Sequence, residues 1–348
     1  MLLGLQYEIG YNGRFSGDPR YDPLSVDDMI AAANSVGGRK VFWIGDSIIW
    51  GNGAFNITSP QLLEIELQAR YGKDVHVFNA GLPAARTADK YAMLLEILAT
   101  HPAMVIFELK YNEFTRAQVD AVVFRYPYLN DVVSNDPEYA AHYRDFINAT
   151  PPLTPPRPAT DADAERAAER AFSVVRFRGL IDAGLFGGEP FSRLSGAPVG
   201  VPPPPRPPST RRGPDEAPNA PARLPENYRP SYLTGRFDSF PNAGLFFAER
   251  VAATLDAAGV PAITYFSALN HELLQDVAQG PTFDANVAMI DAIFSGHKFS
   301  YRNYHALLPS DDLFFDTQHL KALGDLAMVR QILADNGPLF DIALGSDR

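Results

Sequence analysis

Ser47, Asp316 and His319 are the residues whose types and spacing point to covalent chemistry. Ser47 closes the tripeptide Gly45-Asp46-Ser47, directly after the apolar run Val41-Phe42-Trp43-Ile44. A β-branched and aromatic run that breaks at a glycine and a small hydroxyl residue reads as a buried strand ending in a sharp turn. Such a turn presents the serine oxygen at the carboxyl edge of a sheet, where open α/β sheets place their ligands. A nucleophilic serine needs a base in hydrogen-bond reach and an acid that orients the base. Of the seven histidines, His319 has a carboxylate three residues before it, in Asp316-Thr317-Gln318-His319. On a loop entering a helix the two side chains can face the same way. The alternative reading makes Asp316 a helix cap and His319 a first-turn residue. His271, the rival base, has no carboxylate before it at useful spacing. His76, His101, His142, His297 and His305 show no pairing that suggests a metal site.

Acyl transfer also needs donors aimed at a developing oxyanion. Gly81 follows Val77-Phe78-Asn79-Ala80, where a missing side chain would leave its N–H accessible. Asn112 follows Ile106-Phe107-Glu108-Leu109-Lys110-Tyr111 and can point its amide into the same crevice. Asn270 and His271, at the end of Thr264-Tyr265-Phe266-Ser267, either contact substrate or begin a helix.

These residues are positioned by strand–helix alternation. Strands are expected at Lys40–Ile44, Val75–Asn79, Met104–Leu109 and Ala262–Ser267, with a fifth strand or an irregular segment over Tyr301–Leu308. Helices are expected from Ser25 to about Ala33, from Ser59 to Tyr71, from Thr87 to Thr100, over Phe246–Ala258 with Gly259 as its stop, over Asn286–Phe294, and finally over His319–Leu333. Apolar strands alternating with helices argue for an α/β fold, a central parallel sheet covered on both faces. Residues 1–39 read as an N-terminal extension and 40–348 as one catalytic domain. Eighteen of the thirty prolines lie between Pro151 and Pro230. That composition favours polyproline or disordered conformations, so 151–235 reads as an insertion, with a short helix expected over Ala164–Phe172. The insertion is either an extended surface segment or a cover for substrate or a partner.

The chain has 348 residues, 30 Lys and Arg against 41 Asp and Glu, a net charge of −11 and no cysteine. The acidic balance argues against nucleic acid as a partner. The lack of cysteine excludes disulfides, thiol nucleophiles and Cys-ligated metals, and leaves the compartment open. No apolar stretch has the length of a membrane span. Met1-Leu2-Leu3-Gly4-Leu5 lacks the basic flank and cleavage site of a signal peptide, so localisation is unassigned; export would follow if a leader had been removed. The sequons at Asn56 and Asn148 are short patterns that carry no assignment.

In four blocks the sequence resembles the SGNH (GDSL-type) hydrolase superfamily. The first is Gly45-Asp46-Ser47-Ile48-Ile49-Trp50-Gly51 and the second Asn79-Ala80-Gly81. The third, usually Gly-x-Asn-Asp, stands here as Lys110-Tyr111-Asn112-Glu113. The fourth is Asp316-Thr317-Gln318-His319. The resemblance spans about 40–135 and 240–335. It implies a three-layer, flavodoxin-like α/β/α sandwich and ester or acyl chemistry with no metal or cofactor. In that reading Ser47 is the nucleophile, His319 the base and Asp316 its orienter. Ser47 N–H, Gly81 N–H and Asn112 form the oxyanion hole. Lys110 and Glu113 depart from the third block; they form either a charged pocket rim or a structural ion pair.

Three functions follow. A serine esterase would hydrolyse a short acyl ester, such as acetyl, on a carbohydrate or other small polar substrate. An O-acyltransferase would pass the same acyl group to a glycan hydroxyl or cell-surface polymer. A non-catalytic binding protein would use the scaffold alone.

Overall fold

The computed structural model describes residues 20–21, 26–51, 57–119, 123–126, 129–134, 232 and 235–345. Most of the expected insertion, including its helix over Ala164–Phe172, lies outside them. In chain order the elements are α1 (Val26–Ser35), β1 (Arg39–Gly45), α2 (Ser47–Trp50), α3 (Ser59–Tyr71), β2 (Val75–Gly81), α4 (Thr87–Leu98) and β3 (Met104–Leu109). A 3-10 turn over Tyr111–Phe114 leads to α5 (Arg116–Val119) and α6 (Leu129–Ser134). Then come α7 (Ala243–Ala258), β4 (Ala262–Phe266), α8 (His271–Leu274), α9 (Pro281–Phe294), β5 (Ser300–Asn303), α10 (Ala322–Asp335) and α11 (Gly337–Leu344).

The five strands form one parallel sheet in the order β2-β1-β3-β4-β5. Side chains alternate across its two faces with the strand period of two. Phe42, Ile44, Val105 and Phe107 face one core with Met29 of α1, Leu94 and Ile97 of α4, Val251 of α7 and Ile290 of α9. Val41, Trp43, Met104 and Ile106 face the other core with Leu63 of α3, Val329 and Ile332 of α10 and Phe340 of α11. Burial on both faces is why these strands read as continuous apolar runs. Local signals set the helix ends. Thr58 and Gln61 make a capping box at α3, and Asn242 caps α7 by accepting from Leu245 N–H at 3.2 Å. Gly259 ends α7 at φ 63°.

The strand order sets where a ligand sits. The chain leaves β1 for β2 on one side, then returns past β1 to β3 on the other. The carboxyl ends of β1 and β3 therefore flank a topological switch point, the crevice in which this strand order binds ligands. Ser47 follows β1 there, and Lys110 and Asn112 follow β3.

Two expectations change at the C-terminal end. His319 lies in the loop ahead of α10 rather than in its first turn, and α11 follows α10. The cause is local: Asp316 Oδ1 accepts from the N–H groups of both Gln318 and His319, at 3.0 and 2.8 Å. That turn competes with the helix for the same donors. The loop is closed by Phe315 N–H to His319 O at 2.8 Å and Lys321 N–H to Leu313 O at 2.9 Å.

Candidate active site

Ser47 opens α2 immediately after the bend at Asp46. The turn is tight enough to require glycines around it. A Cβ on Gly45 would lie 2.2 Å from Ile49 Cγ1 and 2.7 Å from Glu108 Oε2. One on Gly81, its register partner on β2, would lie 2.3 Å from Trp50 N. Asp46 is the N-cap: its Oδ1 accepts from Ile48 N–H at 2.9 Å. As the first residue of the helix, Ser47 has an N–H with no intrahelical acceptor.

The Ser47 hydroxyl meets His319 Nε2 at 2.8 Å. His319 Nδ1 meets Asp316 Oδ2 at 2.6 Å, while the other carboxylate oxygen is held by the two loop N–H groups. These contacts leave half of the Asp316 side chain open to solvent. Desolvation works to raise the Asp316 pKa, but the His319 ring and the two N–H donors outweigh it and hold the carboxyl below its usual range. The three residues form a continuous chain of hydrogen bonds from hydroxyl to carboxylate.

Asn270 and His271 begin a helix: Asn270 is the N-cap of α8 and His271 its first residue. Asn270 is 1% exposed, and its amide nitrogen donates to Asp316 O at 3.0 Å and Asp311 Oδ1 at 2.6 Å. Its N–H donates to Thr317 O, and its Oδ1 caps α8 at Leu273 N–H. Asn270 thus ties the end of β4 to the loop that carries Asp316 and His319. The His271 ring Nε2 lies 3.0 Å from His305 O. Gly81 does not present a free N–H either: that group donates to Asn79 Oδ1 at 2.9 Å. Asn112 is partly buried, and its Oδ1 has no hydrogen-bond partner. The loop after β2 holds a strained residue, Ala84, at φ 59°.

Beneath Ser47 lies a set of buried charges. Lys110 and Glu113 are each 4% exposed and are neither a rim nor each other's partner. Lys110 Nζ pairs with Asp46 Oδ2. Glu113 Oε1 pairs with Lys90 of α4 at 2.6 Å, and its Oε2 accepts from the Thr87 hydroxyl. Lys90 also donates to the backbone carbonyl of Glu108 at 2.7 Å. Glu108 Oε2 accepts from Asp46 N–H at 3.2 Å, and its Oε1 has no partner. Burial pushes the Glu108 carboxyl up to about 8, with the Asp46 charge adding to the effect. Asp46 moves the other way: burial opposes ionisation, but Lys110, Lys90 and the Ile48 N–H together hold its pKa below the usual range. Burial alone would lower the Lys110 pKa; Asp46, Glu113 and Glu108 raise it instead. With Glu108 protonated, two cations balance two carboxylates, so the cluster is neutral.

Sequence reasoning missed Glu108, Lys90 and Tyr232. Glu108 is a charge inside an apolar strand, and Lys90 shares a helix face with Leu94 and Ile97; both were visible signals of buried pairing. The Tyr232 hydroxyl lies 2.5 Å from Thr317 Oγ1 in the site loop, a contact no spacing announces. Among the described residues no group of three or more His, Cys, Asp or Glu is placed to hold a metal ion. Among them, too, no helix is long and apolar enough to cross a membrane.

No known protein-family profile matches the chain, and no curated protein matches it. Solved structures resemble it at low identity. A mutant of Axe2, an acetyl-xylooligosaccharide esterase from Geobacillus Stearmophilus, is 12% identical at a TM-score of 0.43, over 87% of this chain and 95% of that one. LAE5, an alpha/beta hydrolase enzyme from the metagenome of Lake Arreo, is 13% identical at a TM-score of 0.40, over 87% and 97%. A lipase/acylhydrolase from Enterococcus faecalis is 13% identical at a TM-score of 0.39, over 85% and 96%. Likeness of this degree bears no argument about chemistry, which rests on the side chains of this chain.

Proposed function

We propose that the protein is a serine esterase of SGNH (GDSL) type that hydrolyses a short-chain acyl ester on a carbohydrate or other polar alcohol. The observation that carries this reading is the unbroken relay from Ser47 Oγ through His319 to Asp316, with contacts of 2.8 and 2.6 Å at the switch point of the sheet. Ser47 Oγ attacks the ester carbonyl carbon as its proton passes to His319 Nε2. Asp316 holds the Nδ1–H and stabilises the imidazolium. The oxyanion faces Ser47 N–H and the Asn112 amide. Gly81 is left out of this hole because its N–H serves Asn79. Collapse releases the alcohol, which takes the proton from His319 and leaves an acyl group on Ser47. Water, deprotonated by His319, then frees the carboxylic acid.

A short acyl group is supported by the surface around the site. Among the described residues the large exposed hydrophobics are Ile65, Phe315, Leu323 and Ile342, and of these only Phe315 belongs to the site loop. No observation favours transfer over hydrolysis. The test is a series of p-nitrophenyl esters from acetyl to dodecanoyl, with and without added saccharide. Hydrolysis that falls with acyl length and yields free acid supports the reading. Acylated saccharide as the main product would replace it with the transferase. A wild-type protein that neither turns over any ester nor reacts with a fluorophosphonate would leave a binding protein.

A further inference from the structure

The Ser47 hydroxyl has one proton and two acceptors in reach: His319 Nε2 at 2.8 Å and Asp46 Oδ2 at 3.3 Å. A proton given to Asp46 is lost to the base, so something must keep that carboxylate oxygen from competing. Asp46 Oδ2 is the atom that Lys110 engages, in a pair that is 2–4% exposed. Asp46 Oδ1 is already occupied by Ile48 N–H. Lys110 follows β3, which pairs in parallel with β1, so the strand geometry delivers the ammonium to the turn that holds Ser47. It stands at the place where the chain departs from the third block of the SGNH pattern.

We propose that Lys110 is a positioning residue: by ion-pairing with Asp46 Oδ2 it withdraws that oxygen as a rival acceptor and directs the Ser47 proton to His319. The inference rests on Ser47 being the nucleophile. Without Lys110, Asp46 Oδ2 carries its charge unshared beside the hydroxyl, and Ser47 turns toward it. The effect runs entirely through the Asp46 carboxylate. In Asp46→Asn, whose Oδ1 keeps the cap on Ile48, there is no carboxylate left for Lys110 to restrain.

The test is a four-protein cycle read by the rate of fluorophosphonate labelling at Ser47: wild type, K110M, D46N and D46N/K110M, each checked for folding by circular dichroism. Removing Lys110 from wild type should slow labelling on the order of 10²-fold, the low end of what general-base assistance supplies. Removing it from D46N should change the rate by less than about 3-fold, because interacting residues are non-additive when one acts through the other. K110R should retain most of the wild-type rate. Equal rates for wild type and K110M would overturn the proposal, and so would an equal loss in both backgrounds. If K110M does not fold, the D46N pair still decides, since a large loss there overturns the proposal and none supports it. Wild type that folds but does not label overturns the nucleophile assignment itself, an outcome distinct from the others.

Discussion

At Ser47, two polar neighbours compete for one proton, and the proposed chemistry depends on which one receives it. Ser47→Ala and His319→Ala should each lower kcat by roughly 10⁴- to 10⁶-fold, with Asp316→Ala costing less, as expected for residues that act as a unit. Steady-state hydrolysis of the best ester checks this, and wild-type-like turnover by Ser47→Ala would remove the nucleophile. Asn270 acts one step further out. Its amide holds the Asp316 carbonyl and the Asp311 carboxylate, so Asn270→Ala leaves two part-buried acceptors without their donor. We expect a loss of about 1–3 kcal/mol in urea unfolding, together with a lower kcat at nearly unchanged KM, since the loop that carries Asp316 and His319 loosens. Unchanged kcat with lowered stability would confine Asn270 to the fold.

At the scale of elements, β3 does two jobs: its apolar residues fill both cores, and its carboxyl end brings charges under β1. The pair between Lys90 of α4 and Glu113 is 0–2% exposed. Removing one partner of such a pair strands the other, at a cost of about 3–5 kcal/mol. Glu113→Gln should therefore destabilise by that order, and Lys90→Met/Glu113→Gln by less, as denaturant midpoints would show; a larger loss in the double variant would refute the pairing argument. The same elements explain what could be read from sequence. β1 to β4 were legible because each is a short apolar run between turn residues, whereas β5, Ser300-Tyr301-Arg302-Asn303, is mostly polar and reads equally as an irregular segment. Helix α3 was legible from Pro60 at its start, α4 from the apolar face of Tyr91, Leu94 and Leu98, and α7 from Gly259 at its end. Gly45-Asp46-Ser47 and Asp316-Thr317-Gln318-His319 were legible as candidates because each spacing is local. The partners of Lys110 and Glu113 were not, because Asp46 is 64 positions away from Lys110 and meets it only through the pairing of β1 with β3. Nor was the commitment of Gly81 N–H to Asn79, a two-residue side-chain contact that sets direction rather than pattern. The helix start was misplaced by the turn at Asp316, where a side chain captures the N–H groups a helix would otherwise open with.

At the scale of the whole molecule, the buried charges tie stability to pH, and Glu108 sets the sign. Its carboxyl keeps its proton up to about 8 in the folded chain, against 4.5 for the unperturbed group. Between those values the unfolded chain releases a proton that the folded chain retains. Stability from this group is therefore full below about pH 4.5 and is lost as pH rises through about 8. The slope for one such proton is at most about 1.4 kcal/mol per pH unit. Asp46 contributes oppositely and at lower pH: its pKa is depressed, so its contribution is present above 3.8 and lost on further acidification. Glu108→Gln removes the titration while keeping an acceptor for Asp46 N–H. Urea unfolding of both proteins from about pH 5 to about pH 8.5 should show wild-type stability falling more steeply than that of Glu108→Gln. Other groups, including Asp89, whose burial pushes its carboxyl up to about 7, act in both proteins and cancel in the difference. Parallel curves would mean that Glu108 is ionised in the folded chain, which would leave the cluster under Ser47 with an unbalanced negative charge.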